Sequence, residues 1–332
     1  MKAVVVSRNA PFEEIEIGQL PDPVPGPGEV VVDVAAAEAN YPDILAIEGR
    51  YQIKPPLPFS PGKSAAGRIS AVGEGVSTFK TGDFVSVQVE YGAYAEKLRV
   101  AAAHCFHAPA GIPAEKAAAL GLVYQTAWFA LKDRASFKPG EIVLVLGASG
   151  GVGVASVQLA KALGAKMVIA GVLGADNAKV AREAGADHII ELGDPELRES
   201  LRRQVGEFTS GHGVDVVIDP VGGDANAAAL RAMAWCGRLV VIGFASGTIP
   251  AIKANYLLVK NIAVSGLQWS DYRDRTPERM QEAQREIFAL YVGGKIDPMI
   301  SRVLPLAEFK EALRSLRDGK AQGKIILSVR PS

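Results

Sequence analysis

Nineteen consecutive uncharged residues, 142–160, limit what this chain can fold into more than any other stretch. The run opens with five aliphatics, Ile142 to Leu146, the composition of a strand buried on both faces. It breaks into a glycine-rich turn, and apolar positions then resume at helical spacing through Val152, Ser156, Leu159 and Leu163 until Gly164 stops the helix. Gly150 and Gly151 let backbone amides approach a pyrophosphate, and Gly153 lets the helix pack closely on the strand, so its N-terminus faces the anion. Ala148 stands where the dinucleotide fingerprint Gly-x-Gly-x-x-Gly has its first glycine, with Gly150 and Gly153 at the second and third. Two other readings compete. A membrane span conflicts with four glycines plus Ser149, Ser156 and Gln158 inside the run, and a ligand-free turn with the second strand, 167–170, at the distance of one βαβ unit.

At 332 residues the chain exceeds one ordinary core, so two domains are expected. Lysine plus arginine and aspartate plus glutamate number 36 each, which disfavours nucleic acid or an anionic membrane surface and points to a small-molecule partner. Cys105 and Cys236 are distant from each other and fit a reducing compartment rather than a disulfide framework. The N-terminal residues 1–8 read as the start of a strand, not a secretion signal, so a cytoplasmic protein is expected.

Apolar runs at 142–146, 167–170, 188–190, 214–218 and 239–242 alternate with helical stretches that stop at Gly164, Gly185 and Gly237. This alternation predicts an α/β, doubly wound parallel sheet with its ligand at the carboxyl ends of the strands. Earlier residues read as a small β-rich domain: a Pro-Gly-rich stretch at 20–28, a strand at 30–34, and short strands over 67–87 broken by Gly73, Gly75 and Gly82. A helix at 306–316 and a strand at 324–329 close the chain. A lone strand needs a partner, so the β-rich domain is expected to be discontinuous. His104-Cys105-Phe106-His107 lacks nearby further donors and reads as a strand edge running into Pro109.

With these residues in view, the chain resembles the medium-chain dehydrogenases/reductases, and among them the zinc-free quinone oxidoreductases related to zeta-crystallin. The supports are Pro25-Gly26-Pro27-Gly28-Glu29-Val30, Asn40-x-x-Asp43, Pro61-Gly62-x-x-Ala65-Ala66-Gly67, Val72-Gly73-x-Gly75, Thr81-Gly82-Asp83, Gly92-Ala93-Tyr94-Ala95-Glu96, the loop 148–153 and Gly323-Lys324-Ile325. The resemblance implies a GroES-like catalytic domain over 1–122, a Rossmann coenzyme domain over 123–262 and a return segment, 263–332, completing the first. Zinc members place ligands at the positions of Asn40, Lys63 and about Leu122; an amide, an ammonium and an aliphatic are not zinc donors, so a metal-free site is expected.

The second strand of the βαβ unit ends Ile169-Ala170-Gly171-Val172-Leu173-Gly174, without the acid that binds an NAD ribose, which favours NADP(H). The expected coenzyme contacts are Ser149, Gly150, Gly151, Val152, Gly171, Asn177, Lys179, Phe244 and Lys324, although Lys179 is equally readable as a solvated helix charge. Expected catalytic residues are Asn40, Tyr51, Lys63 and Thr126. Asn40 is either a carbonyl ligand or a turn residue before Pro42; Tyr51 a pocket aromatic or a packing residue; Thr126 a neighbour of the nicotinamide or a helix threonine bonded to its own backbone. Relatives carry Gly-x-Glu-x-Ala-Gly where this chain has Gly62-Lys63-Ser64-Ala65-Ala66-Gly67, so Lys63 either enters the cleft as an oxyanion stabiliser or carboxylate anchor, or is a solvated turn lysine. The implied activity is NADPH-dependent hydride transfer to a quinone or other α,β-unsaturated carbonyl. Alternatives are an enoyl-thioester reductase and a non-catalytic, crystallin-like NADPH-binding protein. The resemblance also implies a homodimer, formed by edge-to-edge pairing of coenzyme sheets through residues 262–267.

Overall fold

The computed structural model describes residues 1–330, which divide into two compact units. One comprises Met1–Leu122, Ser270–Val292 and the chain from Ile300 onward; the other comprises Val123–Trp269 and Gly293–Met299. In chain order the strands are β1 (Lys2–Val5), β2 (Glu16–Gln19), β3 (Glu29–Ala39), β4 (Ser64–Val72), β5 (Phe84–Gln88), β6 (Lys97–Ala101), β7 (Cys105–His107), β8 (Ile142–Leu146), β9 (Met167–Val172), β10 (His188–Glu191), β11 (Val214–Asp219), β12 (Met233–Val241), β13 (Ala263–Gly266), β14 (Ile300–Pro305) and β15 (Lys324–Ser328). The α-helices are α1 (Tyr41–Ile47), α2 (Ala114–Ala119), α3 (Leu122–Phe129), α4 (Gly151–Ala162), α5 (Ala175–Glu183), α6 (Leu197–Phe208), α7 (Gly223–Ala232), α8 (Ala254–Lys260), α9 (Trp269–Arg275), α10 (Pro277–Val292) and α11 (Phe309–Arg317). Among the described residues no helix is long and apolar enough to cross a membrane.

The β-rich unit is organised around β3, which pairs antiparallel with β4, β6 and the returning strand β15. Valines 30, 32 and 34 of β3 bury completely among Ile69, Val85, Val87, Ile325 and Leu327. Gly67 is required where β4 meets β3, because a Cβ there would lie 2.0 Å from the Asp33 carbonyl oxygen. The pairing Ile325↔Ala39 sets the start of β15 beside the residue that opens α1, Asn40.

The second unit is a six-stranded parallel sheet in the order β10-β9-β8-β11-β12-β13. All five residues of β8 are buried, as its aliphatic composition demands. The strand order reverses between β8 and β11, so the glycine turn after β8 opens at the switch point where ligands of such sheets bind.

Three boundaries differ from the sequence expectation, one of them at Gly293–Met299, which belongs to the coenzyme unit and not to the return segment. β12 begins at Met233, not near 239, because Met233 already pairs with Val214 before a register shift restores pairing at Arg238; Gly237 therefore lies within the strand and α7 ends at Ala232. Residues 263–269 stay with the coenzyme unit rather than the return segment, because β13 extends its sheet beyond β12.

Candidate active site

The turn joining β8 to α4 has its shape fixed at three points. Gly147 adopts a φ of +62°, in the left-handed region; Gly150 donates to the Gly147 carbonyl at 3.1 Å; and Ala148 donates to Gly171 on β9 at 3.1 Å. A Cβ at Gly153 would stand 2.1 Å from the Gly147 oxygen, whereas at Gly150 it would meet only that oxygen at 3.5 Å. The turn is closed against the helix at Gly153 and open at Gly150, the residue that caps α4. Ser149, one residue before the cap, is buried, and Gly151 and Val152 are half-buried in the first turn, whose amides have no partner within the helix. This geometry fits a pyrophosphate at the helix N-terminus.

Gly171 serves packing, since a Cβ there would meet Leu192 at 3.0 Å and Leu146 at 3.2 Å. Beyond it, Asn177 donates to the Leu173 carbonyl at 2.8 Å, while Lys179, 78% exposed, lies 3.9 Å from Glu183. A carboxylate does stand at the end of β9, but it comes from the neighbouring strand: Glu191 accepts from the amides of Gly174 at 2.8 Å and Gly193 at 2.9 Å. On the other side of β8, buried Asp219 shapes the next turn by accepting from the Val221 and Gly222 amides and from the Asn226 carboxamide, at 2.7–2.9 Å. Phe244 is partly exposed beside that turn, its ring 3.1 Å from where a Gly222 Cβ would be. The sequence reading passed over Asp219, although an acid ending a buried strand and followed by Pro220-Val221-Gly222-Gly223 is a usable signal. Thr126 is buried on α3 in this same unit.

The β-rich unit holds two linked polar clusters. In the first, the Lys324 ammonium lies 2.8 Å from the Glu38 carboxylate and donates to Asn40 Oδ1 at 2.7 Å, while Asn40 Nδ2 donates to Glu38 Oε2 at 3.0 Å and to the Glu38 carbonyl at 3.3 Å. Asn40 is thus engaged through both ends of its carboxamide rather than presenting it. Lys324 is likewise buried in the β-rich unit, its ammonium engaged by Glu38 and Asn40. Burial pushes Glu38 above the usual carboxylate range against the pull of Lys324. Asp43 Oδ2 accepts from the Asn40 amide at 2.9 Å and from the Tyr94 hydroxyl at 2.8 Å. Its other oxygen is buried without a hydrogen-bond partner among the described residues. Burial raises Asp43 to about 6, although Lys63 opposes the rise.

The second cluster surrounds Lys63, which is 1% exposed and therefore not a solvated turn lysine. Its ammonium is ion-paired with Glu90, donates to the Glu90 carbonyl at 3.2 Å and lies 4.3 Å from the centroid of the Tyr51 ring. Arg273 and Ser270, on α9, reach the same Glu90 carboxylate at 3.1 and 2.9 Å. Burial lowers the Lys63 pKa, and burial together with the Glu90 and Asp43 charges pushes Tyr51 up to about 12. Tyr51 is neutral at ordinary pH and can donate a hydrogen bond to an oxygen on which charge develops. Among the described residues no group of three or more His, Cys, Asp or Glu side chains is placed to hold a metal ion. His107 instead bonds the Thr78 carbonyl at 3.1 Å and packs on Phe79.

Two outcomes follow from this geometry. Gly153→Ala should weaken dinucleotide binding at least tenfold and cost about 1–3 kcal/mol of stability, read by fluorescence titration and urea unfolding; unaltered binding would refute the close-packed cradle. For Asp43, the native state retains a proton up to pH about 6 that the unfolded chain releases near 3.8, so stability falls as pH rises through that window and is level above it. Asp43→Asn keeps an acceptor for Asn40 and Tyr94, and should flatten the urea-unfolding profile between pH about 4 and about 6 by on the order of 3 kcal/mol; profiles parallel to the parent's would refute the burial argument.

Comparison with known proteins agrees with this architecture. The alcohol dehydrogenase GroES-like domain family matches residues 26–111, and the zinc-binding dehydrogenase family matches residues 151–288. Bovine quinone oxidoreductase-like protein 2 is 37% identical over 304 residues, 92% of this chain and 86% of the relative. The Escherichia coli quinone oxidoreductase solved with NADPH superposes with a TM-score of 0.89 at 31% identity, covering 99% of this chain and all of that one. A mycobacterial protein solved with NADPH gives 0.91 at 30% identity over the same shares. The chain belongs to the quinone oxidoreductase family of the medium-chain dehydrogenases/reductases.

Proposed function

We propose that this protein is a metal-free reductase that uses NADPH to reduce a quinone or another α,β-unsaturated carbonyl. The observation that carries the reading is the Lys63–Glu90–Tyr51 cluster: where zinc members of the family hold a metal ligand, this chain buries an ammonium against a phenol. Bound at the glycine turn, a reduced nicotinamide would supply the hydride. Tyr51 donates to the acceptor oxygen, and the Lys63 charge over its ring favours that donation as negative charge builds. Asn40, held by Glu38 and Lys324, fixes the start of α1. Thr126 is assigned to the nicotinamide side by resemblance.

The preference for NADPH rests on the end of β9, which carries no acid of its own, and on two relatives solved with that coenzyme. Glu191 is occupied with the Gly174 and Gly193 amides, which leaves Asn177 and the solvent-facing Lys179 as the groups for a 2′-phosphate. The free thiols Cys105 and Cys236 suit the cytoplasm. A homodimer is favoured by β13, an edge strand of the parallel sheet, and by exposed apolar side chains on α8, where Leu258 is 79% and Val259 77% exposed.

Oxidation of NADPH, with NADH in parallel, should be followed with an ortho-quinone, an enone and a crotonyl thioester. Turnover of the quinone or enone, with kcat/KM for NADPH at least tenfold above NADH, is expected, and Lys63→Met should lower kcat/KM on the order of tenfold. Turnover of the thioester alone would reassign the enzyme, and coenzyme binding without turnover of any acceptor would favour the non-catalytic role. For the assembly, Val259→Glu should convert a dimer to a monomer in light scattering; a parent protein that is already monomeric would reject the interface.

A further inference from the structure

Asp219, the last residue of β11, is a fully buried acid that the chemistry described so far does not use. Its Oδ1 accepts from the Val221 amide at 2.9 Å and the Gly222 amide at 2.8 Å, and its Oδ2 from the Asn226 carboxamide at 2.7 Å. All three bonds are donated to it, the pattern of a carboxylate. Among the described residues no cation stands within ion-pair distance, so the charge is offset only by these dipoles and by the N-terminus of α7, which Gly222 caps. Shaping the turn requires no charge. A neutral carboxamide in place of Asp219 could accept from both amides, and Asn226 Oδ1, buried without a partner among the described residues, could accept from its NH2 group. An unpaired buried charge is costly, so hydrogen bonding alone does not account for an acid here.

The turn over this charge stands beside the glycine turn, on the side away from β9. Val221 packs on the glycine turn, its Cγ2 2.9 Å from where a Gly147 Cβ would be, and Gly222 packs against the Phe244 ring. The loop that carries Phe244 is fastened to the same turn: the Ala245 and Ser246 amides donate to the Pro220 and Val221 carbonyls at 3.0 Å each, and the Gly223 amide to the Thr248 carbonyl at 3.1 Å. A dinucleotide at a switch point lies across the strands on both sides of it, so with the pyrophosphate at the turn after β8 and the adenine ribose at the end of β9, the nicotinamide half falls to β11 and β12. We propose that Asp219 is a positioning residue that, through the turn 220–223, sets one negative charge beneath the nicotinamide half of the coenzyme and so favours the oxidised, cationic ring over the reduced, neutral one. The inference rests on the coenzyme reading of the glycine turn and not on which acceptor is reduced. Hydride donation breaks a C–H bond of the reduced ring, and the hydrogen leaves with the electron pair to form a new bond on the acceptor. The ring is left one charge more positive, and the negative charge gained by the acceptor is quenched by a proton drawn ultimately from solvent. A fixed buried anion needs no reorganisation as that positive charge develops, so it acts on the transition state more than on the reduced ground state.

The test is the affinity of the full-length protein for NADP+ and for NADPH, each measured by titration calorimetry with no acceptor present, so that no turnover is needed. Asp219→Asn, checked first for a cooperative melting curve, is expected to raise the ratio of the NADP+ Kd to the NADPH Kd about tenfold, nearly all of it through weaker NADP+ binding. Asn226→Ala takes one hydrogen bond from the carboxylate but keeps the charge, and is expected to leave the ratio within about twofold of the parental one even where it weakens both forms. An acid that only shapes the turn would weaken the two forms alike, so a ratio that Asp219→Asn leaves within about twofold overturns the proposal. An equal rise in Asn226→Ala overturns it too, because the ratio would then follow the shape of the turn and not the charge. A parent that binds neither form overturns the coenzyme reading and the proposal with it, whereas binding of both forms with an unmoved ratio overturns the proposal alone. If Asp219→Asn does not fold, the double variant Asp219→Asn/Asn226→Asp, which rebuilds the side-chain hydrogen bond in the opposite sense with the charge moved onto α7, is expected to raise the ratio about threefold; a parental ratio would overturn the proposal.

Discussion

The pairing of β15 with β3 is the constraint on which the β-rich unit depends. It joins Ile325 to Ala39 and delivers one ammonium, Lys324, to the point where Glu38, Asn40 and the first turn of α1 meet. A buried ion pair of this kind is seldom a net gain over an apolar contact, but removing one partner strands a charge at a cost of roughly 3–5 kcal/mol. The final strand is therefore held in register by more than its ladder of backbone bonds. Asn40 in turn donates its amide to Asp43, which receives Tyr94, so α1 and the strap around residue 94 are tied to the same knot.

The balance of charge in this region is even. Glu38, Asp43 and Glu90 are set against Lys63, Lys324 and Arg273, all six at the buried end of the scale or close to it. The Glu90 group touches both cations of its cluster, while Asp43 feels Lys63 across space without a direct ion pair and is left with a raised pKa. Such a site keeps a phenol neutral at ordinary pH yet sets a cation against its ring. The combination suits a donor needed only transiently.

How far the sequence revealed this depends on the range of the interactions. The coenzyme unit was legible because its information is local: β8 and the helix α4 were read to within a residue from a buried run, a glycine turn and a 3.6 period. The β12 boundary was not, since a register shift between Val214 and Val216 depends on the partner strand and leaves no mark in the periodicity of residues 233–238. In the β-rich unit the sequence marked Asn40, Tyr51 and Lys63 as positions of interest but did not show the partners of Lys324 and Lys63. Nothing near Lys324 in sequence shows that Glu38 is waiting on the neighbouring strand. For Lys63 a solvated turn stayed open beside a cleft role because its counter-ion, Glu90, is 27 residues away and the further support of Glu90 comes from α9. Buried lysines are rare unless paired, so the pairing partner, not the lysine, was the missing datum.

The same lesson bears on coenzyme choice. Reading only the end of β9 finds no acid, whereas the folded sheet brings the Glu191 carboxylate there from β10, one strand over. An isolated carboxylate at that place repels a 2′-phosphate. This one accepts two backbone amides, Gly174 and Gly193, which offset its charge and orient its lone pairs into the loop. Gly174 also caps α5, whose N-terminus adds a further partial positive charge beside the carboxylate. The local field is thus closer to neutral than the residue type implies. Among the described residues, Lys179, 3.9 Å from Glu183 and largely in solvent, is held by no stronger contact on α5.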